Sequence, residues 1–377
     1  MNSDEPAANL DAGWFDADAH VIEPPWIWTD YTERALHERV PRLERRGDSE
    51  WLVCDGEDLF AIGRLGGLAR GERSLRVTDA ALDGSWDASI VPGAYRVPER
   101  LDAMATDGVA RALLFPTVAM TLMSTADHEL RRALLVAYNR WIADLCGEQP
   151  DRLFSACIVD PDDAKTAMAE IRAARTNGHV AVLVPLWSDG DWSYGSDELV
   201  RLWSAAADLE LPVGFHAFAA RSRQPIRKGL DLAVESIAER PAIVARAVVQ
   251  LLASGVFERV PRLQWFSAEN DAGWAPYLLE RADRLYARAK DHLPISRPPS
   301  ELFHDHMSVT FTDERVAVAN IGVIGDANLL WGSDYPHNVT TWPNSRSLVE
   351  GMFDDYAIPA PTRRAVTFTN AARLFRR

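Results

Sequence analysis

The chain has 377 residues, 47% of them hydrophobic, with a formal net charge of -15 and a pI near 5.1. That length can bury a large core, as one big domain or two smaller ones, and the acidic surplus argues against nucleic acid or an anionic membrane as a partner, since both require a basic footprint. Three cysteines, Cys54, Cys146 and Cys157, have no CxxC spacing, which excludes a disulfide framework or thiolate metal site and fits a reducing, cytoplasmic location. Met1 to Leu10 is acidic and polar with no secretory pattern. No apolar run approaches the roughly 18 residues of a membrane span. Thirteen tryptophans fill either a large core or a wide apolar pocket.

The first strand is expected from Trp14 to Asp18, followed by a loop at Val21-Ile22-Glu23-Pro24-Pro25. Asp18 and His20, two apart, share one face of an extended chain, and carboxylate plus imidazole is a donor pair for Zn, Mn or Fe. Residues 45–97 break the later rhythm. Glu50 to Cys54, then Asp55-Gly56, then Leu59 to Ile62 reads as a two-residue hairpin, followed by the Gly-rich stretch 63–71. We read 45–97 as an insertion, a hairpin and lid over the pocket mouth, within a single domain 1–377.

From Pro98 the pattern alternates regularly. Apolar strands are expected at Val109–Phe115, Leu153–Val159, Val180–Val184, Pro212–Phe215, Leu263–Ser267, Ser308–Phe311 and Asn328–Trp331. Between them lie helices at His128–Cys146, Asp162–Thr176 with an acidic N-cap, Asp197–Leu209, Pro241–Ser254, Trp274–Lys290 and Glu314–Ile321, with two more helices at the C-terminus. Eight near-continuous apolar strands separated by amphipathic helices imply a parallel sheet covered by helices, and eight such units favour a closed (β/α)8 TIM barrel, of the α/β class, over an open doubly wound sheet. No Gly-x-Gly-x-x-Gly follows a strand, which weakens a nucleotide-binding reading.

In such a barrel the site lies at the C-terminal ends of the strands, so the polar residues there are the candidates. The first strand offers Asp18, His20 and Glu23; the fifth offers His216; the sixth offers Glu269, Asn270 and Asp271; the seventh offers Asp313; the eighth offers Asp334 and His337. The fourth ends in Val184-Pro185 with no lysine or acid. The same filter sets aside His304-Asp305-His306, which precedes the seventh strand and falls at the opposite face. Each retained residue alone has an ordinary structural explanation, as a core histidine or a turn cap, but their gathering at one rim points to a metal site.

These residues sit in a recognisable pattern. DADAHVIEPPWIW, AYNRWIADLCGEQPDRL, PVGFHAF, AENDAGWAP, GSDYPH and the terminal TNAARLF resemble the amidohydrolase superfamily, in particular the amidohydrolase-related group that includes decarboxylases of the aminocarboxymuconate-semialdehyde and resorcylate type. The resemblance implies metal ligands at Asp18 and His20, His216 and Asp334. It also implies a histidine at the end of the sixth strand, where this chain has Glu269. The lysine that bridges two metals in urease-like members is missing. A homodimer is what the family implies.

With one divalent ion on Asp18, His20, His216 and Asp334, a bound water would titrate near pH 7, and Glu269 or His337 would serve as proton shuttle. The function expected is therefore hydrolysis or non-oxidative decarboxylation of a small carboxylate or acyl compound. Three carboxylates with two histidines raise an alternative. Two ions, with Glu269 as ligand or bridge, would give a non-haem di-iron monooxygenase for a bulky apolar substrate such as a terpenoid or an acyl-CoA. A metal-free binding protein is the third reading, and it leaves the retained acids and histidines unexplained. Glu23, Asn270, Asp271 and Arg221 are the expected substrate contacts, with Glu23 expected also to order the loop after the first strand. Arg100 and the RSRQPIRK cluster at 221–228 are candidates to attract an anion.

Overall fold

The computed structural model describes residues 13–65, 84–186, 193–217, 219 and 234–377. The eleven strands described are β1 (Trp14–His20), β2 (Arg42–Arg46), β3 (Ser49–Cys54), β4 (Glu57–Ala61), β5 (Val109–Phe115), β6 (Leu153–Ile158), β7 (Ala181–Val184), β8 (Val213–His216), β9 (Trp265–Ala268), β10 (Met307–Phe311) and β11 (Leu329–Trp331). Eight of them form one parallel sheet in the order β1-β5-β6-β7-β8-β9-β10-β11. This is the (β/α)8 barrel expected from the alternation, and its strand ends fall within two residues of the sequence reading. Every residue of β1, β6, β7, β8, β9, β10 and β11 is buried. Burial on both faces explains why these strands read as continuous apolar runs rather than alternating ones.

The ring is closed just past β11. Asp334 N–H donates to Asp18 O at 2.8 Å and His20 N–H donates to Tyr335 O at 2.6 Å. The bonds that join the last barrel segment to the first strand therefore also bring Asp334 beside Asp18 and His20. Gly332 is required for this approach, because a Cβ there would overlap the Asp18 Cβ. Asp16, buried one turn of the pleat below, accepts Ser333 N–H at 2.9 Å and a second bond from the Ser333 hydroxyl.

Several helices carry the caps their sequences announce. Asp127 accepts from Glu129 N and Leu130 N to open His128–Gly147, and Asp163 accepts from Thr166 N to open Ala164–Ala174. The hairpin expected at Asp55-Gly56 is present as β3 and β4, and the sequence reading missed its third member: β2 pairs antiparallel with β3. The helix Val97–Asp107 was also unread. The C-terminal helix expected as one piece is interrupted, with a wider turn at Ala365–Thr369 between Ala360–Arg364 and Asn370–Leu374. Residues 66–71 of the Gly-rich stretch lie outside the described residues. Among the described residues no helix is long and apolar enough to cross a membrane.

Candidate metal centre

Four barrel strands deliver the site. β1 carries Asp18 and His20, β8 ends in His216, β9 is followed by Glu269, and β11 is followed by Asp334 and His337. His20 and His216 are fully buried, with their Nε2 atoms 3.1 Å apart. Around the His20 Nε2 stand Asp18 Oδ1 at 3.7 Å, Glu269 Oε2 at 3.5 Å and Asp334 Oδ1 at 3.5 Å. The His216 Nε2 lies 3.3 Å from Asp18 Oδ1 and 3.5 Å from the same Glu269 oxygen. The other ring nitrogen of His20 lies 3.0 Å from Pro116 O, which accepts only, so Nδ1 carries a hydrogen and Nε2 faces the cluster.

These separations fit a shared cation. Donors on adjacent corners around one ion, each about 2.0 to 2.2 Å away, stand about 3 to 3.5 Å from each other. Two observations point the same way. Glu269 Oε2 and Asp334 Oδ2 are buried without a hydrogen-bond partner, a costly condition for a carboxylate in a protein interior. Glu269 and Asp334 also hold left-handed backbone conformations, with φ of 51° and 56°, which strain a side chain-bearing residue by about 1 to 3 kcal/mol and concentrate at functional sites.

In the cluster, burial and the facing charges pull against each other. Burial works against charge on His20, but Asp18, Glu269 and Asp334 outweigh it and hold the imidazole well above its ordinary range. Burial likewise raises Glu269, yet the facing His20 imidazole and the charges of His216 and His337 bring it down to about 2. Asp18 is held well below the usual carboxylate range by the same two histidines despite its burial. Asp334 moves the other way, raised by burial and by the charge of Glu269.

Residues that the strand-end reading did not single out hold the donors in place. Thr310, inside β10, donates from Oγ1 to Asp18 Oδ2 at 2.8 Å, and the Glu269 amide donates to the same oxygen at 2.8 Å and to Thr310 Oγ1 at 3.0 Å. Asp18 is therefore anchored through Oδ2 and presents Oδ1 to the imidazoles. The usable signal was alternation: Thr310 is the polar residue of Met307–Phe311 nearest the strand end, whereas Asp313, the residue taken from beyond the strand, is exposed. Thr117 Oγ1 donates to Val21 O at 2.6 Å and lies 3.0 Å from His337 Nε2. Its single hydrogen being committed, it accepts from His337 Nε2–H. The 2.7 Å contact between His337 Nδ1 and Asp334 Oδ1 then requires a second proton.

Two of the expected substrate contacts, Glu23 and Asn270, are engaged by the protein itself. Glu23 is fully buried and accepts the amides of Thr117, Val118 and Ala119 at 3.1, 2.9 and 2.9 Å, which ties it to the start of the helix Val118–Leu122. Asn270 is buried, its amide donating to Ser267 Oγ and Ala268 O. Asp271 is exposed but turns toward Glu314 on the outer rim, the two acids sharing charge there. Arg221 and the 221–228 cluster lie outside the described residues. Arg100 is buried, donating to His20 O and stacked 4.6 Å from the Tyr335 ring.

The profile of the amidohydrolase family matches residues 16–377. The chain belongs to the amidohydrolase family. Among curated proteins it resembles decarboxylase orsB of Emericella nidulans, 28% identical over 170 residues that cover 43% of this chain; the match spans about half of that protein's length. Two solved structures share the fold across almost the whole chain. One is amidohydrolase map2389c of Mycobacterium avium subsp. paratuberculosis (21% identity, 96% of this chain and 99% of that one, TM-score 0.76). The other is the 5-carboxyvanillate decarboxylase of Novosphingobium aromaticivorans with manganese and 4-hydroxy-3-methoxy-5-nitrobenzoic acid (16% identity, 98% and 97%, TM-score 0.69). The resemblance drawn from the sequence thus holds at the level of family and fold. A divalent metal fits the donor cluster, and the Novosphingobium structure holds manganese.

Proposed function

We propose that this amidohydrolase-family protein is a metal-dependent, non-oxidative decarboxylase of an aromatic hydroxy acid, working with one divalent ion held by Asp18, His20, His216, Glu269 and Asp334. The observation that carries the single-ion reading is that four donors from four strands all lie within 3.1 to 3.7 Å of one atom, His20 Nε2. Two ions would need donors divided between points about 3.5 to 4 Å apart. Five donors rich in oxygen suit a six-coordinate ion such as manganese better than tetrahedral zinc. Nothing in the geometry or among the relatives favours the di-iron oxygenase.

When bound, the ion would polarise the substrate's oxygen atoms and accept electron density as the carbon–carbon bond breaks. The protein's own part is positioning and proton supply. The Asp334–His337 pair holds a proton between Oδ1 and Nδ1, braced by Thr117 on the far side of the ring. The ring carbon receives that proton as the carboxylate leaves as CO2, and the pair is reprotonated from water, so each turnover consumes one proton. Phe115, whose ring centroid is 5.0 Å from that of His216, provides a dry wall beside the imidazoles.

The test is to incubate manganese-loaded protein with a panel of hydroxybenzoates and carboxyvanillates and to quantify CO2 and the phenol product. Stoichiometric release of both supports the reading. Hydrolysis of esters, lactones or amides with no CO2 from any acid would replace it with the hydrolase. Two iron atoms per chain with oxygen uptake would replace it with the oxygenase.

A further inference from the structure

Behind the donor cluster, Asp16 gathers three donors on one buried carboxylate. Its Oδ1 accepts the Asp18 N–H at 3.1 Å and the Ser333 N–H at 2.9 Å, and its Oδ2 accepts the Ser333 hydroxyl. With the hydroxyl hydrogen committed, a lone pair of Ser333 Oγ accepts the Tyr335 N–H at 3.0 Å. The bonds of this pair thus reach the amide of one donor residue, Asp18, and both neighbours of another, Asp334.

Both donor residues stand in irregular backbone. Along β1 the register with β5 slips: Asp16 is opposite Ala112 and Ala19 is opposite Leu114, three steps on one strand against two on the other. An extra residue of this kind re-aims the side chains around it, and such slips are over-represented next to active sites. Here Asp16 borders a cavity shared with Ala103 and Met104 of the helix Val97–Asp107, while Asp18 faces His20 and His216. The Asp18 N–H taken by Asp16 lies inside the slipped stretch. Asp334 holds φ at 56°, which a residue with a side chain adopts only when its surroundings impose it. The bond from Tyr335 N–H to Ser333 Oγ spans that residue.

We propose that Asp16 and Ser333 are positioning residues for the metal centre. Their carboxylate–hydroxyl bracket sets Asp18 and Asp334 at the separation one ion needs, and it does so through backbone amides rather than through either donor side chain. This inference rests on the metal reading of the cluster. A second bracket of the same chemistry provides a matched control. Ser345 donates its N–H to Asp107 Oδ1 at 2.9 Å and its hydroxyl to Asp107 Oδ2, and it is as buried as Ser333. Ser345 opens the helix Ser345–Asp355, however, and flanks none of the five donor residues.

Calorimetric titration of the full chain with manganese separates positioning from general stability. Ser333→Ala and Ser345→Ala each delete one buried hydroxyl bonded to an aspartate, and thermal melting should show both variants folded and similarly destabilised. Only Ser333→Ala should weaken manganese, by roughly 10- to 100-fold, the range expected when a group supporting a metal ligand is removed. Ser345→Ala should stay within about twofold of the wild type, as sites sharing no partner do. Asp16→Asn keeps an oxygen for the two amides and a polar group for Ser333, and should lose less affinity than Ser333→Ala. Unchanged affinity in Ser333→Ala, or equal losses in the two serine variants, would overturn the proposal. A larger loss in Asp16→Asn than in Ser333→Ala would overturn it too, because the charge of Asp16 rather than its bonds would then set the affinity. If the wild-type chain takes up no divalent ion, the metal reading fails and the bracket's role with it, a result distinct from normal uptake by wild type and variants alike.

Discussion

His20 and His179 are both buried, at opposite ends of the same barrel, and their chemistry diverges. His179 sits before β7, its Nδ1 2.9 Å from Ser155 Oγ and no carboxylate in contact, and burial alone pushes its pKa down to about 4. His20 is no less buried, yet Asp18, Glu269 and Asp334 hold it well above the ordinary value. His306, also at the lower end, gives Nδ1 to Leu263 O at 2.9 Å and stacks on Phe257 at 4.4 Å. At the lower end His179 and His306 each set one ring nitrogen against a neutral oxygen. At the upper end, imidazoles and carboxylates face one another, with Glu269 Oε2 and Asp334 Oδ2 left without hydrogen-bond partners, and the cluster is a candidate cation site.

The largest break in this contrast should come from the upper end. Asp334→Asn keeps the shape but removes the charge that faces His20, and manganese affinity measured by calorimetry should fall more than about 100-fold, beyond the range expected when only a supporting group is lost. Thr310→Val should cost roughly 10- to 100-fold in manganese affinity by releasing Asp18 Oδ2, with Thr310→Ser restoring most of it. Full metal affinity in Thr310→Val would remove Thr310 as a positioning residue.

Next in size is a pH effect with a fixed sign. Because the His20 pKa is raised, the metal-free imidazole carries a proton at neutral pH, and an incoming ion must displace it. Manganese affinity should therefore rise about tenfold per pH unit through the neutral range and level off above the His20 pKa. Titrations in buffers of different ionisation enthalpy should show about one proton released per ion, and affinity indifferent to pH between 6 and 8 would contradict the proton assignment. The smallest effect belongs to the lower end: His306→Ala should cost about 1 to 2 kcal/mol of stability, from one hydrogen bond and one stacked contact, with manganese stoichiometry unchanged.

The same contrast explains what the sequence could and could not reveal. The eight strands were legible because both faces of a parallel strand are buried, which writes apolar runs such as Val109–Phe115 and Ala181–Val184 directly into the chain. Asp18, His20, His216, Glu269 and Asp334 were legible as candidates because each stands at or just past a strand end. The strand-end rule says nothing about where a side chain turns, and so Glu23 read as a substrate contact although its carboxylate belongs to the amides at 117–119, some 95 positions away. Thr310 and Thr117 were hidden for a related reason: their partners Asp18 and His337 are 292 and 220 positions distant, and neither threonine is unusual in its local context.

Anomalous diffraction from manganese-loaded crystals tests the central claim most directly. The account predicts one strong peak per chain, bonded to His20 Nε2 and His216 Nε2 and to oxygens of Asp18, Glu269 and Asp334 at about 2.0 to 2.3 Å. Two peaks about 3.5 to 4 Å apart, or a peak away from these five residues, would contradict it.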